Sequence, residues 1–114
     1  MRDDRQRLMD IMEAIENIEK YAVGGNNAFN GNELIRFWMA YHLQVIGEAT
    51  ANLSTEFRQT HSEIPWSRIV AMRNILVHQY FGIDWQEVWK TVEIDIPDLK
   101  REVELVLERI HGTD

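Results

Sequence analysis

Arg73 and His78, five residues apart in the stretch PWSRIVAMRNILVHQYFGIDWQEVW from Pro65 to Trp89, are the side chains in this sequence best suited to chemistry. A histidine titrates near neutrality and can take or return the proton of a hydroxyl, and a guanidinium holds charge on a phosphate through several donors. Together they suit phosphoryl transfer within RNA, the histidine passing the proton of a ribose 2′-hydroxyl. Such a reaction needs no metal. Its leaving oxygen does need an acid, and one motif supplies one histidine. A symmetric dimer would bring a second His78 and a second Arg73 to the same cleft, so dimerisation belongs to this reading.

Read as a helix, the stretch puts Ile69, Met72, Leu76, Val77 and Tyr80 on one broad apolar arc with Arg73 in its middle. Asn74 and His78, four apart, share a second seam with Ser67 and Ala71. Phe81-Gly82-Ile83 is expected to end the helix with Gly82 in the left-handed position, which leaves His78 and Tyr80 in the last turn. Each of these residues also has a plainer account. Arg73 could be the buried partner of Glu48 across two helices, and on spacing alone that is the commoner case. His78 could be a helix-end cation facing the terminal carbonyls, and Tyr80 an ordinary rim tyrosine.

The elements that must position these groups read as helices. The first is expected over residues 3 to 22, with Leu8, Ile11, Met12, Ile15 and Ile18 at three- and four-residue steps. Gly24-Gly25-Asn26-Asn27 breaks it, and Asn30 or Asn32 can cap the next. A second helix, about residues 32 to 53, carries a wide apolar arc from Leu34 through Phe37, Trp38, Tyr41, Val45, Ile46 and Ala49 to Leu53. It is therefore expected to be central in the bundle or to face a second chain. His42, Glu48 and Asn52 interrupt that arc, and a carboxylate there calls for a partner. Ser54 can cap a short helix over 54 to 61, Pro65 suits a first turn, and Asp84-Trp85-Gln86-Glu87 resembles a capping box. Pro97 predicts a kink or fresh start near 95 to 97 before a last helix that reaches about Ile110. The fold class expected is all-α, an antiparallel bundle of four or five helices forming a single domain over 1 to 114.

Composition narrows the function. With no cysteine among 114 residues there is no disulfide, thiolate metal site or cysteine nucleophile. The charged start MRDDRQRLMD is not a signal peptide, and no apolar run approaches the roughly 20 residues of a membrane span, so a soluble, cytoplasmic protein is expected. A net charge of -7 argues against duplex DNA, whose non-specific binding depends on phosphate neutralisation, but leaves room for a locally basic RNA site. His42, His61, His78 and His111 have no metal-ligand spacing, no glycine-rich phosphate loop is present, and a serine triad is unsupported. No cofactor is expected. Trp38, Trp66, Trp85 and Trp89 each fall near an apolar stripe and read as core rather than as a base-stacking platform, and His42 reads as a hydrogen-bonded interior histidine.

The segment RNILVHQY from Arg73 to Tyr80 resembles the R-x4-H-x-Y motif of HEPN-domain toxins of the HepT type, which also carry a polar residue after the arginine, here Asn74. The resemblance extends through LMDIMEAIENIEKY, VIGEA at 45 to 49, IPW at 64 to 66, MRNILVHQYFGID at 72 to 84 and VW at 88 to 89. It implies a dimeric all-α bundle whose motif regions form a metal-independent endoribonuclease site. Arg73 and His78 would be catalytic, with Asn74 in support. It also implies the toxin half of a toxin-antitoxin module of type VII-like character, whose antitoxin is a minimal nucleotidyltransferase (MNT) that silences the toxin by adding AMP to the residue matching Tyr80. Negative charge and bulk on Tyr80 would compete with RNA phosphate near Arg73, and Glu48 would hold Arg73 in place. A catalytically weak or inactive helical dimer serving mainly as a docking platform for that nucleotidyltransferase is the alternative.

Overall fold

The computed structural model describes residues 3–112, with the side chains of Tyr80 and His111 outside the description. Helix α1, Asp4–Ala22, begins where Asp3 turns extended and its carboxylate accepts from the Gln6 N–H. Its inner face buries Leu8, Ile11, Ala14, Ile15 and Ile18. The Gly-Asn segment breaks this helix as expected, but the chain then coils at once into a short helix, α2, Gly25–Gly31. Gly25 enters it at φ 75°, a conformation glycine adopts without steric cost. The pull is Phe29, fully buried against Trp89 with ring centroids 5.3 Å apart.

Asn32 caps α3, Glu33–Ala51, by accepting from the Leu34 N–H at 2.9 Å. Helix α3 is central, flanked by α1 on one side and α5 on the other. It buries Met39, Ala40, Leu43, Ile46 and Ala49, whereas Leu34, Phe37 and Tyr41 from the same expected arc are exposed. Ser54 caps α4, Thr55–Thr60, and is itself tied to α1 through Asp4, which accepts from its backbone N–H and its hydroxyl.

Helix α5, Trp66–His78, follows Pro65 and lies along α3. It stops earlier than expected. Gln79 leaves helical geometry at φ -124°, ψ 36°, and Tyr80–Gly82 forms a tight 3-10 turn closed by the Gly82 N–H to the Gln79 carbonyl at 2.9 Å. Gly82 is not left-handed, because that turn and the Asp84 cap reverse the chain without a positive φ. Tyr80 therefore lies beyond α5, not in its last turn, and does not continue the helical arc that carries Arg73.

Asp84 caps α6, Trp85–Lys90, by accepting from the Gln86 and Glu87 N–H groups, as the capping-box spacing predicts. The fresh start expected near Pro97 is found: Thr91–Asp95 forms a π-helical turn, and a new α-helix, α7, Ile96–Gly112, begins directly after it. The Ile96 N–H reaches back to the Thr91 carbonyl, five residues away. That wider turn accommodates a proline which lacks an N–H and whose ring would crowd the preceding carbonyls of an α-helix. Helix α7 returns against α1 and buries Leu99, Val103 and Val106. Trp66 and Trp89 are core, while Trp38 and Trp85 pack at its edge.

The result is the expected all-α bundle. No helix among the described residues is long and apolar enough to cross a membrane.

Candidate active site

The crossing of α3 and α5 carries the site, and Gly47 sets how closely the helices approach. A Cβ built on Gly47 would lie 2.2 Å from the Arg73 Cβ and 2.7 Å from its Cγ. The arginine stem therefore fills the space that a side chain on α3 would take. From there the guanidinium turns to its neighbours. Its Nε donates to the Glu48 Oε1 at 2.8 Å, its Nη2 lies 2.7 Å from the same oxygen, and its Nη1 donates to the Asn74 Oδ1 at 2.7 Å.

Arg73 and Glu48 thus pair as the sequence suggested, but they are not buried. Their side chains are 25% and 47% exposed. An ion pair this wet contributes at most about 1 kcal/mol to stability. Its consequence is geometric: a long, flexible cation is held in one direction from two sides. Three of the five guanidinium N–H groups face Glu48 and Asn74, and one on each terminal nitrogen remains for a ligand. A planar fork with open donors suits a phosphate.

His78 is the last residue of α5 and is exposed; among the described residues no hydrogen bond or ion pair engages it. Five residues separate it from Arg73, about 140° around the helix and about 7.5 Å along it. Asn74 spans part of that gap, since it holds Arg73 and lies one turn before His78 on the same face. The structure thus brings Glu48, Arg73 and Asn74 together and leaves His78 on the adjoining open face. Tyr80 starts the 3-10 turn, and its side chain lies outside the described residues. Among the described residues, no group of three or more histidines and carboxylates is placed to hold a metal ion.

The model of a family described as "Ribonuclease HepT-like" matches residues 11–106. The chain belongs to the HepT-like ribonuclease family. A Methanocaldococcus jannaschii protein named "Putative RNase MJ1380" is 39% identical over 106 residues, covering 92% of this chain and 97% of its own. A Thermococcus cleftensis protein named "Probable ribonuclease HepT" is 40% identical over 104 residues, covering 90% and 94%. No solved structure matches the chain. The matched span of this HepT-like chain includes every candidate site residue.

Gly47 was visible in the sequence only as part of VIGEA, and nothing in a glycine's spacing announces that an arginine stem will occupy its missing side chain. His42 is interior, as expected, but makes no hydrogen bond among the described residues; its ring packs against Trp38 and Tyr41 at centroid distances of 4.6 and 5.0 Å. Burial, reinforced by Lys20 and opposed by Glu13, pushes its pKa below the ordinary histidine value. The folded state then holds fewer protons on this group than the unfolded state. The sign follows: above about pH 6.5, the ordinary value, both states are neutral and the group is silent. As pH falls through that value the unfolded chain takes a proton first, and stability declines until the folded pKa is passed. Urea unfolding at several pH values between about 5 and 7.5 is expected to show this decline, and His42→Phe is expected to flatten it. An unchanged slope in the variant would assign the decline to another group.

Proposed function

We propose that this chain is a metal-independent endoribonuclease toxin acting as a homodimer. The observation that carries this reading is the Arg73 guanidinium, held by Glu48 and Asn74 with donors left over, on the helix that ends in an exposed His78, within a HepT-like chain. In the reaction, His78 takes the proton of a ribose 2′-hydroxyl as that oxygen attacks the adjacent phosphorus. The bond from phosphorus to the 5′-oxygen breaks, and the leaving oxygen receives a proton from His78 of the partner subunit. Arg73 holds the charge that gathers on the phosphoryl oxygens. The products are a 2′,3′-cyclic phosphate and a 5′-hydroxyl.

One observation supports a second copy beside the motif. Ile75 and Val77 are 37% and 40% exposed and Phe81 is fully exposed, all within three residues of His78. Exposed apolar side chains concentrated in this way mark an interface more often than a solvated surface. The MNT antitoxin is proposed to act on the same region by adding AMP to Tyr80, which sits on the chain segment leaving the site. The added phosphate would claim the open donors of Arg73.

The test is cleavage of RNA by purified protein in chelator, with intact mass used to establish that Tyr80 carries no AMP. Cyclic-phosphate ends are the expected result. An unmodified dimer that cuts no RNA but still binds the nucleotidyltransferase would replace this reading with that of a docking platform.

Glu48→Gln provides a smaller test of the arrangement. Glutamine keeps the acceptor oxygen but loses the charge, so stability is expected to change by less than about 1 kcal/mol. Cleavage is expected to fall about tenfold, through a less well oriented guanidinium. Unchanged activity would leave Glu48 a bystander.

A further inference from the structure

Between α1 and α3 runs an open groove of about 470 Å³ that ends at Glu48, the residue gripping Arg73. Because the helices are antiparallel neighbours, Arg7 faces Asn52 and Glu48 at one end, and Asn17 faces Tyr41 and His42 at the other. The ends differ in chemistry. At the first, the Arg7 Nε is buried and finds no acceptor among the described residues, in the same groove as the Glu48 that holds Arg73. At the second, the Tyr41 ring is 62% exposed beside His42, which is 8% exposed and makes no hydrogen bond among the described residues. No ring nitrogen of His42 is both buried and unpartnered, so the ring reaches the solvent of the groove and can bond a ligand seated there. Asp10 and Glu13 line the middle.

We propose that this groove is the subsite for a ribonucleotide flanking the scissile bond, with its base stacked on Tyr41 and bonded to His42, and its phosphate at the Arg7 end beside Arg73. The inference rests on the ribonuclease reading and extends it to substrate recognition. An exposed tyrosine ring is a stacking surface of the kind single-stranded RNA uses. Carboxylates along the middle repel phosphate but accept from exocyclic amines and ribose hydroxyls, so the groove favours a base there over the RNA backbone. The α1 side of the groove runs from Arg7 to Asn17, roughly 15 Å along the helix, long enough for a base and its phosphate to occupy opposite ends.

Tyr41→Ala and Arg7→Ala test this, because both residues sit at the groove and neither is assigned a role in bond cleavage. With an RNA substrate, Tyr41→Ala is expected to raise KM at least fivefold with kcat little changed, and to flatten the base preference at one position next to the cut. Arg7→Ala is expected to raise KM and weaken its dependence on salt without altering base preference. Wild-type KM and base preference in both variants would overturn the proposal. Should the wild type cut no RNA, the ribonuclease reading fails by itself, and the groove is judged by titrating the four 3′-mononucleotides while following the His42 ring protons by NMR. Shifts that saturate in wild type and vanish in Tyr41→Ala support the subsite; no shift at millimolar nucleotide overturns it. So does a Tyr41→Ala protein that sediments as a monomer where wild type is a dimer, since the face would then belong to a second copy.

Discussion

His78→Ala is expected to lower RNA cleavage by roughly 10²- to 10⁴-fold, the range over which positioned acid-base groups act. Folding should be almost untouched. The side chain is exposed and unbonded among the described residues, and substitutions at such positions stay within about 0.5 kcal/mol. Arg73→Ala is expected to lose a comparable amount of activity. Arg73→Lys is not expected to restore it, because an ammonium lacks the planar fork that Glu48 and Asn74 orient. A dimer with one wild-type and one His78→Ala chain separates the composite site from two independent ones. If base and acid come from different protomers, removing either histidine stops the reaction, so the mixed dimer should be nearly as inactive as the double variant. Half the wild-type rate would mean that each protomer works alone. Circular dichroism and a melting curve for each protein keep loss of chemistry distinct from loss of fold.

How much of this could be read from the residues depends on whether the signal was local. Asn32, Ser54 and Asp84 announce helix starts because a short polar side chain bonds an N–H two or three residues ahead, an interaction complete within one turn. The core face of α1 follows from spacing for the same reason. The pairing of Glu48 with Arg73 was legible too, since an arginine amid an apolar arc needs an anion. What the sequence concealed depended on packing between distant segments. Helix α2 exists because Phe29 finds Trp89, and no propensity of a glycine- and asparagine-rich segment implies it. The fresh start expected near Pro97 is found, since α7 begins at Ile96, but the π turn over Thr91–Asp95 that leads into it has no signature in residue spacing. Phe81-Gly82-Ile83 reads as a helix terminus, yet α5 ends at His78: the histidine is in the last turn as expected, while Tyr80 falls in the 3-10 turn beyond it. The exposure of the Arg73 and Glu48 pair was also hidden, because spacing gives the partner and not the depth.

The same distinction makes Gly47 the most informative structural position. Adding one methyl group there is expected to destabilise the protein and to disable it. Alanine normally gains up to about 1 kcal/mol over glycine inside a helix. Here its Cβ would lie 2.2 Å from the Arg73 Cβ and 3.4 Å from the Ile69 carbonyl. The first contact is too close for any real pair, and the atom in the way is the root of the arginine, which cannot swing aside without its backbone. Helices α3 and α5 must therefore separate, at an overpacking cost of about 1–3 kcal/mol that outweighs the gain in propensity. Separation also shifts Arg73 against Glu48, and displacing a reacting group by an ångström can cost about a hundredfold in rate. Gly47→Ala should thus melt earlier than wild type and, at temperatures where it is fully folded, still cleave RNA about a hundred times more slowly. Gly31→Ala is the control, because a Cβ at Gly31 meets nothing within 4 Å and its φ is not positive. The same chemical change there should leave cleavage intact. A folded Gly47→Ala protein with wild-type activity would show that the close approach of α3 and α5 serves packing alone, and that Arg73 finds its working position without it.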